Sequence, residues 1–389
     1  MGWRRAFLAL ATNVEELFDD LTARLDRRLG TERLQIVAYR SFGTPTAVIV
    51  RGRVLEKRRI TTATDHDSVW RNLANTYRRF TSDEIPGAHV RATLGSVSAE
   101  TTSNKEGFFE LTLLPDQVLN SGWTQVDLAL LNPILPGSGP VHATAEVLIP
   151  PANADFGIIS DIDDTVIKSD ITNLLRMARL VFLGNARTRL PFPGVAAFYR
   201  ALQAGRTSTI NNPIFYVSSS PWNIYDLLCD FFALQGLPAG PMTLRDWGLN
   251  ETEALPTDNR QHKHHAIRAI IERYPGQRWL LIGDSGQQDP EIYTALAQNY
   301  PGQILAIYIR NLDHRPGRTA EIAALQPLAH AAGTPLIFSA ETLPLAEHAA
   351  AHGWIAAQSL AGVAANQQFD HTPASAIDTA LNEDPTGKE

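Results

Sequence analysis

The rhythm of apolar residues changes once along this chain, around Pro150-Pro151-Ala152-Asn153, and one fold cannot serve both sides of the change. From about Ile36 to Leu148, short runs with strand character recur at 46–55, 89–94, 107–113, 126–130 and 143–148. Turn signals such as Ser103-Asn104-Lys105-Glu106-Gly107 separate them, as in an all-β sandwich. After Asn153, apolar strands at 156–160, 214–217, 242–244, 279–282, 304–309 and 336–338 alternate with helical segments. Those segments are 171–183, 194–204, 221–234, 263–274 and 290–299, a pattern that builds a parallel sheet sandwiched by helices. The 389 residues suit such a division, because single cores rarely grow past ~250–300 residues.

The expected organisation is an amphipathic helix over 1–35, a β-sandwich over 36–150, an α/β domain over 151–360 and a disordered acidic tail over 361–389. In the first segment Phe7, Leu10, Val14, Phe18, Leu21 and Leu25 recur every three or four residues. Trp3-Arg4-Arg5 is reminiscent of an export signal, but the apolar run is short and Glu15, Glu16, Asp19 and Asp20 follow directly. No stretch reaches the ~18–20 apolar residues of a membrane span. One cysteine, Cys229, fits a reducing, cytoplasmic setting.

Net charge is -7, with +5 on residues 1–60 and -12 on the remainder. An acidic body argues against nucleic acid as a partner. The basic front is a candidate for reversible, peripheral contact with an anionic membrane surface, or simply packs on a neighbouring domain.

Four signals stand at successive strand ends. The strand Ile158-Ile159-Ser160 runs into Asp161-Ile162-Asp163-Asp164-Thr165-Val166, and Ile214-Phe215-Tyr216-Val217 ends in Ser218-Ser219-Ser220. Lys263 opens an amphipathic helix, and Leu280-Leu281-Ile282 runs into Gly283-Asp284, with Asp289 five residues on. Alone, each has an ordinary explanation: a solvated turn, a helix cap before Pro221, a surface lysine. Together, at the carboxyl ends of strands where open α/β sheets bind ligands, they describe a site for phosphoryl transfer. A carboxylate serves as nucleophile and splits one hard step into two. Crowded carboxylates call for a small, hard cation, Mg²⁺, while a lysine and a hydroxyl hold the phosphoryl oxygens.

These motifs resemble the haloacid dehalogenase superfamily of phosphohydrolases over residues 155–311. Asp161–Val166, Val217-Ser218-Ser219-Ser220-Pro221-Trp222-Asn223 and Gly283-Asp284-Ser285-Gly286-Gln287-Gln288-Asp289 are more closely similar to the actin-patch phosphatidate phosphatase family and its bacterial relatives. The resemblance implies Mg²⁺-dependent conversion of phosphatidic acid to diacylglycerol and phosphate. It implies Asp161 as nucleophile and metal ligand, and Asp163 as acid and then base, its backbone carbonyl on the metal. Thr165 shapes the loop, Ser218 or Ser219 binds the phosphoryl group and Lys263 neutralises the aspartyl-phosphate. Asp284 completes the metal shell, with Asp289 as ligand or supporting partner.

Two other readings stay open. One keeps the chemistry on a phosphoprotein, nucleotide or sugar phosphate, since fold sets reaction class better than substrate. The other is a non-catalytic interaction protein that works through its β-sandwich. A protease reading of Gly283-Asp284-Ser285-Gly286 conflicts with the parallel α/β pattern. Val166 stands where an EF-hand needs glycine, and His262, His264 and His265 lack the thiols or paired spacing of a zinc site. Too few residues separate Trp247 from Lys263 for a folded lid there, so the site is expected to be largely open.

Overall fold

The computed structural model describes residues 34–56, 84–135, 139–163, 165–166, 192–207, 211–245, 259–312 and 315–371. The expected helix over 171–183 lies outside these residues, as do Asp164 and positions 1–33 of the helix expected over 1–35; Leu34 and Gln35 stand in a strand instead. The chain divides into two compact units where strand β8 ends at Ile149.

The first unit is a mixed eight-stranded sheet of β1 (Leu34–Tyr39), β2 (Ser41–Thr44), β3 (Ala47–Glu56), β4 (His89–Leu94), β5 (Val97–Thr102), β6 (Phe108–Leu113), β7 (Gly122–Asn132) and β8 (His142–Ile149). Antiparallel pairing joins β1, β2 and β6 to β3, and a second antiparallel run orders β5, β4, β7 and β8. β2 links the two arms, because it also pairs in parallel with β8. Alternate side chains of both arms enter one core, among them Val48, Val50 and Phe109 from one and Val90, Leu128 and Val147 from the other. The strands on either side of the turn at 103–107, β5 and β6, do not pair with each other. Asn104 Oδ1 accepts from the amides of Glu106 and Phe108 at 3.0 and 2.9 Å, and the turn carries the chain from one arm to the other.

The second unit holds a six-stranded sheet, parallel throughout, of β9 (Gly157–Asp161), β10 (Ile214–Pro221), β11 (Met242–Arg245), β12 (Trp279–Asp284), β13 (Ile304–Arg310) and β14 (Leu336–Ser339). Its order is β11-β10-β9-β12-β13-β14, so the chain reverses its direction of travel between β9 and β12. Ligands bind at such a switch point, beyond the carboxyl ends of the strands. β9 is buried along its whole length, as expected of a central parallel strand. A Cβ on Gly157 would fall 2.3 Å from the Trp279 ring, so only glycine lets β9 begin against that buried indole.

Interleaved with these strands are α1 (Val195–Ala204), α2 (Tyr225–Gln235), α3 (Asn259–Arg273), α4 (Asp289–Asn299), α5 (Arg318–Ala331), α6 (Thr342–Ala351) and α7 (Ser359–His371). Two expectations are corrected. The helix expected over 221–234 starts later: β10 runs through Ser218–Ser220 to Pro221, a 3₁₀ turn covers Trp222–Ile224, and α2 follows. The segment read as an acidic tail is helical as far as His371; residues 372–389 lie outside the described ones. Its polar side chains have partners. Asp370 accepts from the Gly194 amide at 2.9 Å, Asn366 from Ala197 at 3.2 Å and Gln367 from Leu343 at 3.0 Å, which supplies acceptors to the N-terminal amides of α1 and α6. Among the described residues no helix is long and apolar enough to cross a membrane.

Candidate active site at the switch point

Four of the expected residues converge where β9 and β12 end. Lys263, on α3, places its ammonium 2.8 Å from Asp161 Oδ1 and 2.6 Å from Asp289 Oδ1, with the three side chains at most 2% exposed. Single carboxylate oxygens of Asp161, Asp284 and Asp289 all lie within 4.8 Å of one another. One ammonium therefore faces three buried carboxylates. Burial pushes Asp161 well above the usual carboxylate range; Lys263 opposes the shift, and Asp289, Asp163 and Asp284 add to it. Burial alone would lower the lysine, but Asp161, Asp289 and Asp284 outweigh it and hold Lys263 charged.

The donor set suits a divalent cation of the oxygen-seeking kind, which balances charge that the lysine alone does not. Among the described residues, Asp161, Asp284 and Asp289 form a group able to hold one. Asp284 is set by the turn after it: its Oδ1 accepts from the Gly286 and Gln287 amides at 2.5 and 2.9 Å. Asp289 Oδ2 accepts from the Asp284 amide at 3.2 Å. Thr165 donates to Asp161 Oδ2 at 3.0 Å.

Asp163 turns elsewhere. Its carboxylate accepts from the Ser218 hydroxyl at 2.6 Å, the Ser219 amide at 3.0 Å and the Ser220 hydroxyl at 2.6 Å. The hydroxyl of Ser218 is thus committed to Asp163, and Ser219 contributes through its backbone. Sequence reasoning passed over Ser220 and Gln287. Gln287 accepts from Lys263 at 3.2 Å and donates to the Asp163 carbonyl at 3.5 Å, bridging two of the strand ends. The triplet of serines was the available signal for Ser220; Gln287 had none. His262 is held below its ordinary pKa by burial and by Arg245 nearby, and among the described residues no histidine joins a metal-capable cluster. The segments on which the openness of the site depends, 167–191 and 246–258, lie outside the described residues.

Gly283 stands next to Asp284 at the end of β12. A Cβ there would stand 2.4 Å from Asp289 Oδ2 and 2.7 Å from its Cβ, so any side chain evicts Asp289 from its place beside Lys263. Gly283→Ala is expected to lower stability by ~1–3 kcal/mol and to lack any rise in melting temperature that a divalent cation is expected to give the wild type. Melting curves with and without Mg²⁺ measure both.

Residues 156–311 match the family "Phosphatidate phosphatase APP1, catalytic domain". The match covers the segment holding Asp161, Asp163, Ser218, Lys263, Asp284 and Asp289, and it bears out the resemblance read from those motifs. Phosphatidate phosphatase APP1 of Saccharomyces cerevisiae is 33% identical over 192 residues, 48% of this chain and 31% of that protein. An uncharacterised protein of Schizosaccharomyces pombe is 28% identical over 215 residues, 54% of this chain and 34% of its own length. The chain thus spans about a third of the length of these curated relatives. Among solved structures, a carbohydrate acetylesterase from Xanthomonas citri aligns over 80% of this chain and 69% of its own at 11% identity, with a TM-score of 0.28, too low to carry an argument.

Proposed function

We propose that this protein is a Mg²⁺-dependent phosphomonoesterase that works through Asp161, with phosphatidic acid as substrate and diacylglycerol and phosphate as products. The observation that carries the reading is the placement of Asp161 at the switch point, 2.8 Å from the buried Lys263 and grouped with Asp284 and Asp289. A nucleophilic carboxylate needs a fixed cation beside it and a second positive charge for the phosphoryl oxygens, and this cluster offers the first and has ligands for the second.

In this reading Asp161 attacks phosphorus and the ester oxygen leaves as diacylglycerol, taking a proton from Asp163. Asp163 then accepts a proton from the water that attacks the aspartyl-phosphate, releasing phosphate and restoring Asp161. Lys263 holds Asp161 in line, and Thr165 fixes its other oxygen. Ser218 and Ser220 orient Asp163 through their hydroxyls. Bound Mg²⁺ supplies charge neutralisation to the phosphoryl oxygens, held by Asp161, Asp284 and Asp289.

The match to the APP1 catalytic domain supports phosphatidate over other phosphomonoesters. Reversible contact of residues 1–60 with an anionic bilayer, and a peripheral cytoplasmic location, complete the reading on the grounds of charge and sequence pattern. The expected outcome is release of phosphate from phosphatidic acid in mixed micelles, faster than from lysophosphatidic acid, nucleotides or phosphopeptides, and lost in excess chelator. Preference for a soluble phosphomonoester would keep the chemistry and reject the lipid. Equal activity in chelator would reject the metal.

A further inference from the structure

Arg318 is the first residue of α5, seven positions beyond the end of the family match, and its guanidinium is buried against the turn that carries Asp284 and Asp289. All five of its N–H donors have acceptors. Nε donates to the Ser285 carbonyl at 2.7 Å and Nη2 to the Gln287 carbonyl at 2.7 Å. The remaining donors meet Glu291, in a two-pronged contact that includes Nη2 to Oε2 at 2.9 Å, and Glu321 Oε2 at 3.1 Å. A cation in the first turn opposes the helix dipole, so the placement is unfavourable locally and must be sustained by these contacts.

The consequence runs through one peptide plane. The carbonyl of Ser285 and the amide of Gly286 belong to the same rigid trans unit and point in opposite directions. Holding the carbonyl on Arg318 aims the amide at Asp284 Oδ1, where it donates at 2.5 Å. The rest of Ser285 is pinned as well: its amide donates to the Arg310 carbonyl at 2.9 Å and its hydroxyl accepts from Leu312 at 2.9 Å. We infer that Arg318 is a positioning residue for the metal site, setting the rotamer of Asp284 through the Ser285–Gly286 peptide. The inference rests on the metal-binding reading of Asp161, Asp284 and Asp289. Lysine cannot replace it, because an ammonium lacks the planar fork that spans two carbonyls and a carboxylate at once.

Calorimetric titration of the full chain with Mg²⁺ alone tests this, beside melting curves. Arg318→Lys is expected to fold and to bind Mg²⁺ ~10–100-fold more weakly, the usual loss when a group supporting a metal ligand is removed. Glu321→Gln, which removes the charge of an exposed partner of the same guanidinium, is expected to bind Mg²⁺ as the wild type does. A lower melting temperature in Arg318→Lys with unchanged Mg²⁺ affinity would make the residue structural only and overturn the inference. Should that variant fail to fold, Glu291→Gln decides: several-fold weaker Mg²⁺ binding supports positioning, and wild-type affinity overturns it. A wild type with no saturable Mg²⁺ site would sink the metal reading itself, and this inference with it.

Discussion

Asp161→Asn should fold, should melt no lower than the wild type in the absence of divalent cation, and should lose at least ~10⁴-fold in phosphate release, the scale seen when an enzyme's nucleophile is removed. The amide is nearly isosteric, so packing around a fully buried side chain is kept. What changes is charge. Asp161 stands among Asp163, Asp284 and Asp289 with Lys263 as the cation in contact, and burial pushes its pKa up. A carboxyl group whose pKa is higher folded than unfolded favours the folded state when protonated. Its ionisation therefore erodes stability as pH rises from the unfolded value, near 3.8, to the folded one. The asparagine variant is free of that loss. Its stability relative to wild type should grow across this window and level off above it. A variant less stable at every pH, or one that retains turnover, contradicts the assignment. Catalytic groups held at a cost to stability are a common signature of active sites.

The second large effect is expected from Lys263→Met. Removing the cation leaves the carboxylates of Asp161 and Asp289 buried without the partner that stands 2.8 and 2.6 Å away. Breaking a buried pair in this way costs about 3–5 kcal/mol. Activity should fall by ~10²–10³-fold, as for loss of an electrostatic stabiliser of the transition state. Divalent cation offers a partial substitute for the lost charge. At a hundred times its dissociation constant, Mg²⁺ should return about 2.7 kcal/mol. Denaturant titrations with and without Mg²⁺ measure the difference. A variant as stable as the wild type in chelator would show that Lys263 does not carry the charge balance of the cluster.

The core of this site was legible because its residues break the local pattern. An apolar strand that ends in Asp161 or in Gly283-Asp284 signals chemistry where burial alone would put another aliphatic side chain. Lys263 was legible only in company, since a lysine in a helix is ordinary until its three carboxylate neighbours are known. Arg318 and Gln287 carried no signal. They act on backbone carbonyls or bridge distant strand ends, and any sequence supplies a carbonyl.

The fold follows the same division. β3 and β9 announce themselves through Val48, Val50, Ile158 and Ile159, all wholly buried. β5, Val-Ser-Ala-Glu-Thr-Thr, is a half-exposed edge strand whose polar face hides it. Helix α7 was read as a tail because Asn366, Gln367 and Asp370 are polar. Their polarity is spent on the amides at the starts of α1 and α6, which no local pattern reports.

The central claim is a covalent aspartyl-phosphate on Asp161, and trapping it is the most direct measurement. Asp163→Asn keeps the nucleophile but lacks both the acid for the leaving oxygen and the base that activates water, so the intermediate should form slowly and, with its hydrolysis blocked, accumulate. The variant is mixed with ³²P-phosphatidic acid and Mg²⁺, quenched in acid, reduced with borohydride and digested. Labelled protein should appear before reduction, and the peptide spanning 156–166 should then carry homoserine in place of Asp161. Label on a serine or histidine, or steady product formation with no labelled protein, would contradict the account.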